Sequence, residues 1–328
     1  MFDALDPAFT LPGPDIMARQ ALMDRAARVL RPAGALERLD RVAAWLAAWQ
    51  RTDTPAVERP VVLLAAGDHG VVRRGVSAHD ASVTRAMMDA FRAGVATSTV
   101  MSAALGSGMR IVDAGVGAPT GDITVEPALD PDRFAELVHL GRDTVAELDT
   151  DLLLLGEMGI GNTTAAAALA GSLFGGEPAG WVGPGGGADA AIMDRKRTAV
   201  AQAMARAGAA GPMEALRQVG GAEMAVLAGA CLQARVRSIP VVLDGFVVTA
   251  AVAPLALARK GALDHCLAGH LSPEPGHRRL LDRLGMEPFL DLGMRLGEGS
   301  GALAARPHNR LAPSLVADVA TFEEWGLR

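Results

Sequence analysis

Asp151-Leu-Leu-Leu-Leu-Gly-Glu-Met-Gly-Ile-Gly-Asn-Thr-Thr164 decides how the chain is built. Its first third is a short continuous apolar run, the pattern of a strand buried on both faces of a parallel sheet. The remainder is a glycine-rich turn leading into a helix that starts near Thr163. The same unit recurs on either side of it: Val61-Val-Leu-Leu-Ala-Ala66, Arg110-Ile-Val-Asp113 and Pro240-Val-Val-Leu-Asp244 are brief apolar runs that close on Asp or a glycine-containing turn. Helical stretches such as the alanine-rich 198–210 lie between them. Strand and helix alternating in this way predict an α/β fold with a doubly wound, mainly parallel sheet and helices on both faces.

Farther out, residues 14–50 read as helical, with Leu36, Leu39, Val42, Leu46 and Trp49 at spacings of three and four. They are expected to pack with a last helix at about 310–325. Segments 1–57 and 305–328 then form a smaller helical domain, and 58–304 form a large α/β domain. No internal repeat or low-complexity linker interrupts the chain.

With 328 residues, half of them hydrophobic, the chain can bury a substantial core. A net charge of -6 without a long Lys/Arg block argues against nucleic acid or an anionic membrane as partner. Four Trp, eight Phe and no Tyr leave few platforms for stacking single strands. Cys231 and Cys266 lack CxxC spacing, so neither a disulfide framework nor a zinc knuckle is suggested. The first eleven residues carry Asp3 and Asp6 and no readable secretory signal, and a cytoplasmic protein is expected. Residues 240–258 are long and apolar, but Asp244 and Pro254 favour a buried strand followed by a buried helix over a membrane span.

In an open α/β sheet, ligands bind beyond the carboxyl ends of the strands. Here those ends carry Asp68-His69, Asp113, Glu157 and Asp244-Gly245. Each alone also reads as a cap or turn residue. The turn Gly159-Ile-Gly-Asn-Thr163 offers backbone N–H groups and a helix dipole to a phosphate. It is neither GxGxxG nor GxxxxGK[ST], which removes support for dinucleotide and P-loop readings. Its ordinary reading is a tight turn capped by Asn162 or Thr163.

A second cluster, Trp181-Val-Gly-Pro-Gly-Gly-Gly187, includes Gly185 and Gly186 and precedes a helix beginning near Asp189 that carries Asp194-Arg-Lys196. It either closes over the phosphate or is a loop followed by a solvated charge run. Glu298, within Gly297-Glu-Gly-Ser-Gly301, is a candidate general base or a surface-turn glutamate. No His pair has the spacing of a metal site, and no GxSxG elbow occurs.

The segments Ala66-Gly-Asp-His-Gly-Val71, Gly156 to Thr164, Gly220-Gly-Ala-Glu-Met-Ala225, Leu243-Asp-Gly-Phe246, Glu274-Pro-Gly-His277 and Leu290-Asp-Leu-Gly-Met-Arg-Leu-Gly-Glu-Gly-Ser-Gly301, in this order, resemble the nicotinate-nucleotide:dimethylbenzimidazole phosphoribosyltransferases. The resemblance runs from about residue 31 to residue 320. It implies transfer of ribose phosphate from nicotinate mononucleotide to 5,6-dimethylbenzimidazole or a related base, by direct displacement with inversion, in assembly of the cobalamin lower ligand. It implies Glu298 as general base and Glu157 as electrostatic partner of the cationic sugar. The nucleotide and base are then bound by Gly159, Ile160, Gly161, Asn162, Thr163, Asp68, His69, Ser77, Asp244, Gly185 and Gly186. No cofactor or metal is required, since the pyridine leaves neutral, and a homodimer is expected.

Three stretches depart from the family pattern. Thr84-Arg-Ala-Met87 carries Ala86 where Thr-x-Gln-Met is usual, Gly183-Pro-Gly-Gly-Gly187 replaces Gly-Arg-Gly-Thr-Gly, and Arg31-Pro-Ala-Gly-Ala-Leu-Glu37 replaces Pro-Pro-Gly-Ser-Leu-Gly. These leave open a paralogue acting on another aromatic base, a nucleotide glycosidase, and a non-catalytic nucleotide-binding protein.

Overall fold

The structure is a computed structural model and describes residues 9–327; the reading of Asp3 and Asp6 therefore lies outside the described residues. Five strands, β1 Pro60–Ala66, β2 Gly108–Asp113, β3 Leu152–Met158, β4 Val241–Leu243 and β5 Cys266–Ala268, form one sheet in the order β2-β1-β3-β4-β5. Every pairing is parallel, and Leu63 of β1 stands opposite Arg110 of β2 and Leu155 of β3. This is a doubly wound order whose reversal falls between β1 and β3. The loops after those two strands therefore share one crevice, and the Gly67 N–H donates to the Met158 carbonyl across it at 3.0 Å.

Twelve described helices surround the sheet: α1 Ile16–Ala26, α2 Glu37–Gln50, α3 Ser82–Arg92, α4 Thr97–Ala104, α5 Pro131–Glu147, α6 Asn162–Phe174, α7 Ala190–Ala207, α8 Pro212–Val219, α9 Ala222–Val236, α10 Phe246–Ala258, α11 Pro275–Leu284 and α12 Ser300–Ala317. Successive strand residues serve opposite faces. Leu63, Ala65, Leu153 and Leu155 join the core built with α5 to α10. Val62, Leu152, Leu154 and Val242 pack against α2 and α12 on the other face. The apolar stretch 240–258 divides into β4 and α10, and no helix among the described residues is long and apolar enough to cross a membrane.

Two helix expectations need correction. The stretch 14–50 is two helices, not one, because 27–36 leaves the helical path where Pro32 disfavours it and Gly34 adopts φ +74°. That connection is pinned to the carboxyl-terminal segment: the Leu30 N–H donates to the Ala320 carbonyl at 2.8 Å. The last helix runs over 300–317 and not 310–325. Its start is fixed by Asp244, whose carboxylate accepts from the amides of Gly299, Gly301 and Ala302 at 3.1, 2.7 and 3.1 Å. Pro307 and Pro313, ordinarily helix breakers, lie inside it, flanked by the buried Ala305 and Ala312. The short β5 has no sequence counterpart among the apolar runs, being only three residues long.

Candidate active site

A cavity of about 440 Å³ opens at the carboxyl ends of the strands. Its wall brings together Ser77, Glu157, Gly159, Ile160, Gly161, Asn162, Thr163, Gly185, Gly186 and Glu298, all singled out from sequence. The rest of the wall includes the apolar side chains of Val83, Met87, Met158, Phe246 and Leu296. The lining thus combines apolar side chains against which an aromatic ring can pack with polar groups that can orient it.

The turn between β3 and α6 can be made only with glycine. A Cβ on Gly159 would lie 2.5 Å from the Gly67 carbonyl oxygen, and Gly161 has φ +93°. The Ile160 amide donates to the Thr84 hydroxyl at 3.2 Å and the Asn162 amide to the Gly159 carbonyl at 3.2 Å. The amides of Gly161 and Thr163 donate to no carbonyl among the described residues, which leaves them for an anion at the helix N-terminus.

Lys196 completes this corner. Its Nζ donates to the Thr163 hydroxyl at 3.0 Å and to the Gly183 carbonyl at 2.7 Å, and the side chain is buried. Burial holds the ammonium below the ordinary lysine range, against the opposing pull of Glu274. Glu274 in turn accepts from the Gly185 amide at 2.7 Å, so the second glycine cluster is held to the 159–163 turn by Lys196 and to the start of α11 by Glu274. Glu274 and Lys196 both stand in motifs noted in the sequence, but neither is among the site residues expected from it. Lys196 sat in an apparent charge run, yet it occupies the buried stripe of α7 with Ile192, Ala199 and Ala203, and that spacing is the signal.

Beside the 159–163 turn, Glu157 and Glu298 are fixed by the backbone. The Glu298 amide donates to the Glu157 carbonyl at 3.1 Å. Gly297, Glu298 and Gly299 all have positive φ, and at Glu298, with φ +63°, this is an uncommon conformation for a residue with a side chain. The Glu298 carboxylate accepts from the Ser98 amide at 3.4 Å, and burial raises it above the ordinary glutamate range. Glu157 accepts from the Asn162 side-chain amide. Burial first, then the nearby carboxylates of Asp244, Glu223 and Glu298, push Glu157 well above the usual range. The floor of the cavity is therefore a place where positive charge on a ligand is welcome.

Three expected ligand contacts stand apart from this wall. Asp68 accepts from the Gly117 amide at 2.7 Å, holding the loop after β2. His69 pairs through Nε2 with Glu223 at 2.9 Å, both fully enclosed. Asp244 caps α12 and lies 3.6 Å from His270 Nε2, with burial raising its carboxyl against the opposing effect of that histidine. All three brace the loops that carry the wall. His270 and Ser272 do reach the wall, along with His79 and Arg295. Ala86 is exposed on α3 and its short side chain is not part of the wall, whereas Met87 of the same helix is.

A family described as "Phosphoribosyltransferase" has a model that matches residues 11–327. The chain is 47% identical over 319 residues to the nicotinate-nucleotide–dimethylbenzimidazole phosphoribosyltransferase of Brucella anthropi, spanning 97% of this chain and 94% of that one. The Brucella abortus protein of the same name gives the same figures. Among solved structures, CobT from Thermus thermophilus superposes with a TM-score of 0.91 at 39% identity, covering 95% of this chain and 99% of that one.

Proposed function

Because the chain belongs to the nicotinate-nucleotide:dimethylbenzimidazole phosphoribosyltransferase family, we propose that its cavity binds nicotinate mononucleotide with the phosphate at the 159–163 turn and the reacting ribose above Glu157 and Glu298. The reaction is that of a pentosyltransferase in cobalamin lower-ligand assembly. Nicotinate mononucleotide and 5,6-dimethylbenzimidazole give α-ribazole 5′-phosphate and nicotinate.

The substrate's pyridinium is cationic and its phosphate anionic, and the cavity is polarised in the matching sense. Amides of Gly161 and Thr163 with the Lys196 ammonium meet the phosphate, and the carboxylates meet the positive ring. In the displacement, a base nitrogen forms a bond to the ribose anomeric carbon as the bond to the pyridine nitrogen breaks. Attack from the face opposite the leaving group inverts the centre. Nicotinate departs with the bonding pair and its ring becomes neutral. The benzimidazole ring takes on the positive charge, and Glu298 accepts the proton from its other nitrogen. Glu157 in its ionised form lowers the energy of the cationic sugar between the two rings. Anchoring the phosphate fixes the ribose so that leaving and entering rings lie in line.

The observation that carries this reading is the backbone hydrogen bond joining Glu157 and Glu298, two carboxylates that line one cavity together with the glycine turn 159–163 at the start of α6. Incubation with nicotinate mononucleotide and 5,6-dimethylbenzimidazole, with products identified by mass, tests it. The expected product is α-ribazole 5′-phosphate; ribose 5-phosphate with free nicotinate would point to a glycosidase instead. The working unit in this reading is a cytoplasmic homodimer. Support for the dimer comes from the exposed apolar side chains of Ile16 and Met17 on α1 and of Phe322 and Trp325 in the adjoining carboxyl-terminal turns.

A further inference from the structure

We propose that Cys231, His265 and Cys266 form a binding site for a single thiophilic d10 metal ion, zinc by class, at the end of the sheet remote from the cavity. The three potential ligand atoms all lie within 4.8 Å of one another. The two Sγ atoms are 3.6 Å apart, and each lies 3.8 Å from His265 Nε2. Zinc–sulfur bonds of about 2.3 Å and zinc–nitrogen bonds of about 2.05 Å in tetrahedral directions give S···S and S···N edges of roughly 3.8 and 3.6 Å. The cluster thus has the dimensions of one face of a zinc tetrahedron.

The His265 Nε2 that faces both sulfurs also lies 3.1 Å from the Cys231 carbonyl oxygen, and this is the contact it gives up to ligate the ion. Trp49 packs edge-on against the ring at 5.8 Å, and Cys231 and His265 are fully buried. Cys266 is the accessible member and borders a separate cavity of about 630 Å³ together with Asp264 and Lys260, so an ion can enter and a water can supply the fourth ligand.

The charges also balance. Two thiolates neutralise one divalent ion, and the neighbouring Arg235 guanidinium, held over Trp49 at 4.5 Å, is answered by Asp264. On binding, each thiol releases its proton to solvent and no electron is transferred. The ion would clip α9, which carries Cys231, to β5, which begins at Cys266, and so brace the strand that leads to His270 in the cavity wall.

The test is metal analysis of the intact enzyme purified with its thiols reduced and incubated with zinc at micromolar concentration. One zinc per chain is expected, together with a rise in melting temperature. Titration with cobalt(II) should produce thiolate-to-metal charge-transfer absorption. Cys231→Ser and Cys266→Ser should each weaken zinc binding by a hundredfold or more while turnover with nicotinate mononucleotide persists, which shows that the variants fold. Absence of zinc and of the cobalt bands in the reduced wild-type enzyme would overturn the proposal. So would zinc retained by the double variant, or a wild-type chain two hydrogens lighter from a Cys231–Cys266 disulfide that zinc and reductant leave unchanged.

Discussion

The Glu298 amide donates to the Glu157 carbonyl at 3.1 Å, so two of the acidic residues that line the cavity are joined backbone to backbone. Asp244 reinforces it from below by capping the helix that follows Glu298. A loop that would otherwise be free to adapt is clamped, and the left-handed conformation at Glu298 is held by its neighbours. Asp244→Ala should therefore lower both stability and turnover. It strips three amides of their acceptor, at a cost of order 1–3 kcal/mol for the buried donors, readable by urea unfolding.

Lys196 is the charge expected to distinguish a nucleotide from a nucleoside. Lys196→Met keeps the buried stem and removes the ammonium. Loss of a charge-assisted hydrogen bond of about 1.5–3 kcal/mol should raise KM for nicotinate mononucleotide roughly 10- to 150-fold. Steady-state kinetics against the nucleoside, which lacks the phosphate, should show little difference between variant and wild type.

How this corner and the rest of the fold could be read from sequence depends on what surrounds each residue. β1 and β3 were legible because strands buried on both faces are unbroken apolar runs. β5 was not, since three residues after Asp264-His265 carry no period. The turn from Gly159 to Thr163 was legible because a strand-to-helix turn this tight needs glycine, with Gly161 at φ +93°. Lys196 was hidden because its neighbours Asp194 and Arg197 pair at 2.7 Å on the outer face of the same helix. Asp68, His69 and Asp244 show the opposite difficulty. An acid or histidine at a strand's carboxyl end looks the same whether it meets a ligand or the amides and side chains of an adjacent loop. Cys231 meets the adjacent pair His265-Cys266 only through tertiary packing, across 34 and 35 residues of sequence.

Glu157 gives a test in which stability and activity separate. Its folded-state pKa is raised, so the folded enzyme favours the protonated form, and that contribution to stability is present at low pH and is lost as pH rises through the folded value. Glu157→Gln imitates the protonated form. At pH 8 the variant should be at least as stable as wild type in urea, while turnover falls because the cationic sugar loses its counter-charge. A variant both less stable at pH 8 and fully active would contradict the role given to Glu157.

His277 governs a different pH range. Buried and hydrogen-bonded to Thr249 and Ser272, its imidazole is depressed from 6.5 to about 3, burial being the main cause and the His270 and Arg278 charges adding to it. Its contribution is complete above pH 6.5 and declines as pH falls toward 3, since the unfolded chain takes up a proton that the folded one refuses. Between pH 6 and 5 the wild type should lose up to about 1.4 kcal/mol per pH unit more than His277→Asn. Parallel curves for the two proteins would remove His277 as the cause.

The proton acceptor is the centre of the account, and Glu298→Gln tests it most directly. Burial lifts this carboxyl above the ordinary 4.5, so the wild-type acid limb of kcat should lie above that value, with activity rising as Glu298 ionises. The measurement is kcat as a function of pH for both enzymes, with nicotinate mononucleotide affinity determined separately. Loss of a general base should lower kcat by about two to four orders of magnitude, erase the acid limb and leave nucleotide affinity within a few-fold of wild type. A Glu298→Gln enzyme with near-normal kcat and an unchanged acid limb would contradict the assignment of the base.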